Sequence, residues 1–181
     1  PFVSSGASSK FNNESKSIAL ACGSHSGSKL HSREAFKILW EYDIDINNLK
    51  CPKSKTSPLE HNCSGKHAAF LATCKKMNWP LDSYLKGDHP LQIEIFRIVS
   101  ELLEIPSSEI NAERDDCGAP TLYLKLLEMS RLYSLLSSSE NAELEQISRA
   151  MTINPIMISD NNKFDTEIIK ASHGNVIGKG G

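Results

Sequence analysis

A cysteine, a lysine and two histidines occur within seven residues at the start of the stretch His61–Phe70, which reads HNCSGKHAAF. The apolar positions that follow predict a helix that begins near this cluster. Because Cys63 and Lys66 are three residues apart, they fall on one face of that helix, and a helix N-terminus stabilises a thiolate. Packing alone does not require such groups at a helix end. The stretch is therefore either ordinary surface or part of a site.

A second thiol, Cys117, lies in the turn DDCGAP, which the pattern predicts to open another helix. Two thiols at two helix starts, beside acidic and imidazole groups, can bind a soft metal ion such as zinc. No Cys-x-x-Cys pair is present, which argues against a thiol-redox protein, and free cysteines are often small buried apolar residues. Spacing alone leaves both interpretations open and favours the structural one. Cys22, Cys51 and Cys74 are interpreted as structural.

Two serines, Ser24 and Ser26, flank His25 in a glycine-bounded turn, and either is a possible nucleophile if a histidine or lysine acts as its base. Ser26 and Lys29 match Ser-x-x-Lys, but in a turn rather than on a helix, so we interpret the match as chance. Lys179 stands before two glycines, which suits a general base or a substrate clamp. A solvated surface lysine is the simpler interpretation.

Composition restricts the class of protein. The 181 residues are 39% hydrophobic and 23% charged, which is typical of one globular domain. The net charge of -2 gives no reason to expect nucleic acid or an anionic membrane as partner. No apolar run approaches the ~20 residues that span a bilayer. Five cysteines cannot all pair within the chain, so we expect a reducing compartment, the cytoplasm.

Periodicity predicts a helix-rich chain with strands mainly near its ends, at Ile18–Cys22 and Val176–Ile177. The helix over Pro120–Leu136 is expected to be buried centrally, because it is apolar on several faces. Five further helices are predicted to begin at Ser32, at Cys63 or Ser64, at Pro90, at Ser138 or Ser139, and at Asp165 or Thr166.

The buried face of one of these helices and the start of another are also predicted. The helix from Ser32 is expected to bury Phe36, Leu39 and Trp40, which are spaced at i, i+3 and i+4. The helix from Pro90 begins on a residue favoured in a first turn.

Taken together and in this order, five motifs resemble the Rhizobium-type L-asparaginase family, which is distinct from the threonine-dependent asparaginases. They are ACGSHSG (21–27), HNCSGKHAAFL (61–71), DDCGAPT (115–121), KFDT (163–166) and VIGKGG (176–181). The resemblance implies an α/β (α+β) chain with a serine β-lactamase-like, penicillin-binding-protein-like fold. It also implies hydrolysis of L-asparagine to aspartate and ammonia, and a possible homodimer.

The resemblance further implies roles for individual residues. Cys63, Lys66 and Cys117 match the protein ligands of a zinc ion. Asp115 matches an acidic group that orients the substrate or the site. Ser24 and Lys179 match a catalytic serine–lysine pair.

One expected motif of the family is missing. Its Ser-x-x-Lys would lie a few residues before Pro1, and further sheet strands would follow Gly181, so residues 1–181 are predicted to form a single incomplete domain from the centre of a longer protein. The alternative is an inactive zinc-binding fragment or a degenerate homologue. Two smaller departures, Gly23 before SHSG and Asp116 before Cys117, affect no proposed functional side chain.

Overall fold

The computed structural model describes residues 1–11, 14–54, 56–138 and 140–180. Its α-helices are α1 (Glu14–Cys22), α2 (Lys29–Glu41), α3 (Ser64–Lys76), α4 (Pro90–Leu103), α5 (Leu126–Ser137), α6 (Ala142–Ile153), α7 (Pro155–Ile158) and α8 (Phe164–Ala171). Between α4 and α5, strands β1 (Asn111–Arg114) and β2 (Pro120–Tyr123) form an antiparallel hairpin. The chain is thus helix-rich with a small sheet, which is compatible with the predicted α/β class. The serine β-lactamase-like fold stays a prediction.

Helix α1 lies at the centre of the helical core. It packs against α2, α3, α6 and α7, and its residues Ile18, Ala19 and Leu20 are buried. The strand predicted over Ile18–Cys22 is therefore wrong. A short apolar run that is buried on all sides has no periodicity to separate strand from helix, and alanine and leucine are strong helix formers.

Helix α2 begins one turn earlier than predicted and buries a different face. It starts after Ser28 rather than at Ser32, and the predicted core residues Phe36 and Trp40 are exposed. Leu39 is buried as predicted. The buried stripe consists of His31, Ala35, Ile38 and Leu39. The aromatic pair misled the prediction because the core face includes a histidine, which hydropathy does not mark as apolar.

The segment after Cys117 differs most from its prediction. No helix begins at Pro120: strand β2 comes first, and α5 starts only at Leu126. Leu126 and Leu127 are each 80% exposed, so the expected central position is also wrong. Gly118, at φ +84°, supplies the left-handed residue that turns the chain between β1 and β2.

Helices α3 and α4 were predicted with nearly their observed starts. His89 caps α4 by accepting a hydrogen bond from the Leu91 N–H, and Pro90 occupies the first turn. Helix α6 is capped by Asn141 rather than Ser138. The alternative cap, Ser139, lies outside the described residues.

The C-terminal segment does not form the strand predicted at Val176–Ile177. Within the described residues it has no regular structure after α8, and Asp165 Oδ2 accepts a hydrogen bond from the Gly180 N–H at 3.2 Å. Helix α8 itself begins at Phe164, one residue before the predicted cap. None of the helices in the described ranges is long and apolar enough to cross a membrane.

Helix α3 lies directly on the backbone of α1 at Gly65. A Cβ atom at this position would stand 2.5 Å from Leu20 Cγ and 2.6 Å from the Leu20 carbonyl oxygen. Real Cβ atoms do not approach backbone this closely, so only glycine permits the two helices to remain at this distance.

We expect Gly65→Ala to lower the free energy of unfolding by about 1–3 kcal/mol, the usual cost of overpacking a core. Urea denaturation of the purified variant measures this loss. Gly87→Ala is the matched control, since a Cβ there meets nothing within 4 Å. Equal stabilities for the two variants would contradict the close packing of α3 on α1.

Candidate functional site

The N-terminus of α3 and the β1–β2 hairpin meet through their cysteines. Cys63 is the N-cap residue of α3, and its N–H donates to His61 Nδ1 at 3.1 Å. Lys66 follows in the first turn of the same helix. These two side chains face Cys117, which lies in the hairpin loop and is almost fully buried.

The loop that carries Cys117 is closed by its own backbone. The Asp115 N–H donates to the Ala119 carbonyl at 2.9 Å, and the Gly118 N–H donates to the Asp115 carbonyl at 2.8 Å. The prediction that Cys117 opens a helix is therefore wrong. A tight hairpin loop brings Cys117 and Asp115 together to the start of α3.

Four side chains form what we call the thiol cluster: Cys63, Lys66, Asp115 and Cys117. Lys66 Nζ lies 3.3 Å from Cys117 Sγ and 3.8 Å from Asp115 Oδ2. Cys117 Sγ lies 3.6 Å from Asp115 Oδ2. The two sulfur atoms and a carboxylate oxygen all lie within 4.8 Å of one another, which is close enough for one metal ion.

The two thiols of the cluster differ in acidity. A hydrogen bond from Cys63 lowers the pKa of Cys117 most, with help from His67 and from the positive charge of Lys66. The same hydrogen bond, together with burial, raises the pKa of Cys63. Of the two thiols, Cys117 is therefore the one whose surroundings favour the thiolate. By contrast, burial raises the pKa of Cys51 and of Cys74 to about 12, in keeping with structural roles.

His67 adjoins the cluster from inside the core. Its Nδ1 lies 2.7 Å from the Tyr84 hydroxyl oxygen, and its Nε2 has no hydrogen-bond partner among the described residues. The imidazole is nevertheless close enough to Cys117 to stabilise the thiolate. Tyr84 was not among the residues found in the sequence, because no motif surrounds it and only the folded chain places it here.

Ser24 is tied to the residue that precedes Cys63. Asn62 Nδ2 donates to Ser24 Oγ at 3.1 Å, and the Asn62 carbonyl accepts the His25 N–H at 3.2 Å. Asn62 lies in the stretch His61–Phe70, but nothing in the sequence indicated that its amide would contact Ser24. The turn that holds Ser24 therefore abuts the thiol cluster.

His25 is a structural neighbour of Ser24. Its side chain is buried and stacks on His31 with ring centroids 4.6 Å apart. Burial, followed by His31, lowers the pKa of His25 to about 3. Its Nδ1 accepts the Gly27 N–H at 3.2 Å, and its Nε2 faces Ser64 Oγ at 3.4 Å. His25 therefore connects the turn to α3 and does not serve as a base for Ser24.

The other half of the expected serine–lysine pair lies in the C-terminal segment after α8. Lys179 is exposed, and its amine makes no hydrogen bond to Ser24 within the described ranges. It is close enough to Cys22 to favour that residue's thiolate, although burial prevails and raises the pKa of Cys22 to about 11. Ser26, the other candidate nucleophile, donates a hydrogen bond from its hydroxyl to Asp160 Oδ2.

A cavity of about 540 Å³ opens on the far side of Lys66. Apolar side chains from α1, α3, α4 and α6 form most of its wall, including Ile18, Phe70, Ile98 and Ile147. Neither Ser24 nor Cys117 lines it.

A comparison with protein families places the whole sequence in one of them. A family model described as L-asparaginase II matches residues 1–181. A search of curated proteins found no match. The match covers the full sequence and confirms the resemblance predicted from the motifs.

We expect Cys63→Ala to raise the pKa of Cys117 in the metal-free protein, because the variant lacks the hydrogen bond that most stabilises the thiolate. Less thiolate should then be present at neutral pH, and ultraviolet absorbance across a pH titration measures it. Cys117→Ala identifies the titration step, and Cys74→Ala is the control at a distant buried thiol. A Cys117 pKa that is the same with and without Cys63 would refute the hydrogen bond from Cys63 as the cause of the lowered pKa.

Proposed function

The chain belongs to the L-asparaginase II family, and we propose on this basis that it hydrolyses the side-chain amide of L-asparagine to L-aspartate and ammonia. The observation that carries the proposal is the junction between Ser24 and the thiol cluster through Asn62 and Cys63. The proposed nucleophile and the proposed metal ligands are thus connected through two consecutive residues. A homodimer and a cytoplasmic location remain predictions from the sequence.

Ser24 is the proposed nucleophile. Its Oγ attacks the amide carbon of the substrate, and the C–N bond breaks to leave an ester on Ser24 and to release ammonia. Water then attacks the ester, which yields aspartate and restores the hydroxyl. The N–H that Asn62 donates to Oγ holds the oxygen in one direction and stabilises negative charge as it develops there.

Each step needs a base, and Lys179 is the proposed one. As a neutral amine it takes the Ser24 proton and passes it to the departing nitrogen. Lys179 must come within hydrogen-bond distance of Ser24 Oγ for this transfer, because the two side chains share no hydrogen bond in the described residues.

The backbone of the turn supplies an oxyanion donor. The N–H groups of His25, Ser26 and Gly27 are all occupied, by Asn62 O, Ser159 O and His25 Nδ1. The Ser24 N–H has no such partner within the described residues. We therefore assign the Ser24 N–H to the carbonyl oxygen of the substrate.

We further propose that the thiol cluster binds zinc through Cys63, Lys66 and Cys117, with Asp115 beside them. The donor set fits, because the pKa of Cys117 is lowered and thiolates are preferred zinc ligands. When bound, zinc supplies a Lewis acid or an ordering charge beside the substrate. Lys66 must lose its proton to become a ligand.

A second candidate function is zinc binding without amidase activity. The exposure of Lys179, which makes no hydrogen bond to Ser24 Oγ among the described residues, favours it. Activity measurements on the full-length protein separate the two functions.

We expect the full-length protein to release ammonia from L-asparagine, and Ser24→Ala to lower the rate by about three orders of magnitude or more, as loss of a nucleophile does. A coupled ammonia assay measures this. Ser26→Ala is the matched control on the other side of His25 and should keep the rate. Full activity in Ser24→Ala would exclude Ser24 as nucleophile, whereas zinc binding without ammonia release would establish the second function.

We expect zinc affinity to rise with pH, because binding displaces protons from Lys66 and Cys63. Cys117→Ser should weaken the affinity by more than about 100-fold, since loss of a group that only supports a ligand costs about 10–100-fold. Competition with a chromophoric chelator measures both effects. Cys74→Ala should bind as the unaltered protein does, and a zinc affinity independent of both pH and Cys117 would refute the site.

A further inference from the structure

One buried nitrogen beside the thiol cluster lacks a partner. Among the described residues, His67 Nε2 is the buried side-chain polar atom that makes no hydrogen bond. The whole residue is inaccessible to solvent, so water cannot supply the missing bond. A buried polar group without a partner costs about 1–3 kcal/mol. The nitrogen must therefore be directed at something that lies close by.

The hydrogen bonds on the other side of the ring fix its protonation. The Lys50 N–H donates to the Tyr84 hydroxyl oxygen at 3.0 Å. Tyr84 is itself fully buried, and the acceptor for its hydroxyl hydrogen is His67 Nδ1 at 2.7 Å. Since Nδ1 accepts, it carries no hydrogen. A neutral imidazole then bears its hydrogen on Nε2.

The Nε2–H therefore needs an acceptor, and Cys117 is the side chain at hand. His67 stands next to Lys66 in α3, whose amine is 3.3 Å from Cys117 Sγ. The sulfur of a cysteine can accept a hydrogen bond, whereas the ammonium of Lys66 only donates. Cys117 Sγ is consequently the group in the cluster that suits His67.

We propose that Tyr84 and His67 form a hydrogen-bond relay that orients Cys117: Lys50 N–H to Tyr84 oxygen, Tyr84 O–H to His67 Nδ1, and His67 Nε2–H to Cys117 Sγ. Tyr84 and His67 are then positioning residues, and His67 is not a metal ligand because its Nε2 has no free lone pair. As support for a zinc ligand, this inference rests on the proposed zinc site. As an arrangement of hydrogens, it applies to the metal-free protein as well.

The first test determines, in the metal-free protein, which ring nitrogen of His67 carries the hydrogen. Nitrogen NMR of the metal-free protein should show His67 as the Nε2–H tautomer. Tyr84→Phe should remove this preference, because the phenyl ring offers no hydrogen to Nδ1. An Nδ1–H tautomer in the unaltered protein would overturn the relay.

The second test measures zinc affinity by chelator competition. Tyr84→Phe and His67→Leu should weaken zinc binding by about 10–100-fold, as loss of a group that supports a ligand does. His67→Gln, whose amide both accepts and donates, should restore part of the affinity. Tyr42→Phe is the matched control, since it also removes a buried hydroxyl, which bonds the Ala7 carbonyl at 2.7 Å.

The outcomes separate the relay from the zinc site. Wild-type affinity in both Tyr84→Phe and His67→Leu would overturn the relay, as would an equal loss in Tyr42→Phe, which would point to general destabilisation. Cobalt substitution adds a readout, because the thiolate-to-metal absorption should shift in Tyr84→Phe and not in Tyr42→Phe. If the unaltered protein binds neither metal, the zinc proposal fails, and the NMR result alone decides the relay.

Discussion

The close approach of α3 to α1 at Gly65 is the contact on which the site depends. It sets the position of the first turn of α3, and that turn is connected both to Ser24 and to Cys117. Asn62, which precedes the N-cap residue Cys63, donates a hydrogen bond to Ser24, and Lys66 within the turn contacts Cys117. A displaced α3 would alter both connections at once. The site is therefore a property of core packing and not of its surface loops alone.

Charge within the thiol cluster is unbalanced. Cys117 Sγ, whose lowered pKa favours the thiolate, lies 3.6 Å from Asp115 Oδ2, and the Lys66 ammonium lies near both groups. Lys66 and Asp115 are partly exposed, so water screens their attraction. The buried sulfur gains less from solvent and depends on donors from the protein. Such an arrangement favours a cation, which supports the zinc proposal on electrostatic grounds.

The sequence allowed α3 and α4 to be predicted because their starts are marked by local chemistry, such as Pro90 after a capping residue. The proposed metal ligands came from the family resemblance, because the spacing of Cys63 and Lys66 alone favoured a structural interpretation. The centre of the core was misjudged, because a helix buried on all sides, like α1, shows no periodicity. Tyr84 could not be found at all. Its role depends on a contact with His67, which no local pattern encodes.

The two halves of the proposed serine–lysine pair differ in how firmly the described contacts hold them. Ser24 is oriented by Asn62, and the turn around it is connected to α3 through the buried His25. Lys179 belongs to a segment without regular structure, attached through Asp165 and the partly buried Ile177. Catalysis by proximity requires that both groups be held at reaction distance. The proposed nucleophile is therefore preorganised by the core, whereas the position of the proposed base is set by the few contacts of the segment that carries it.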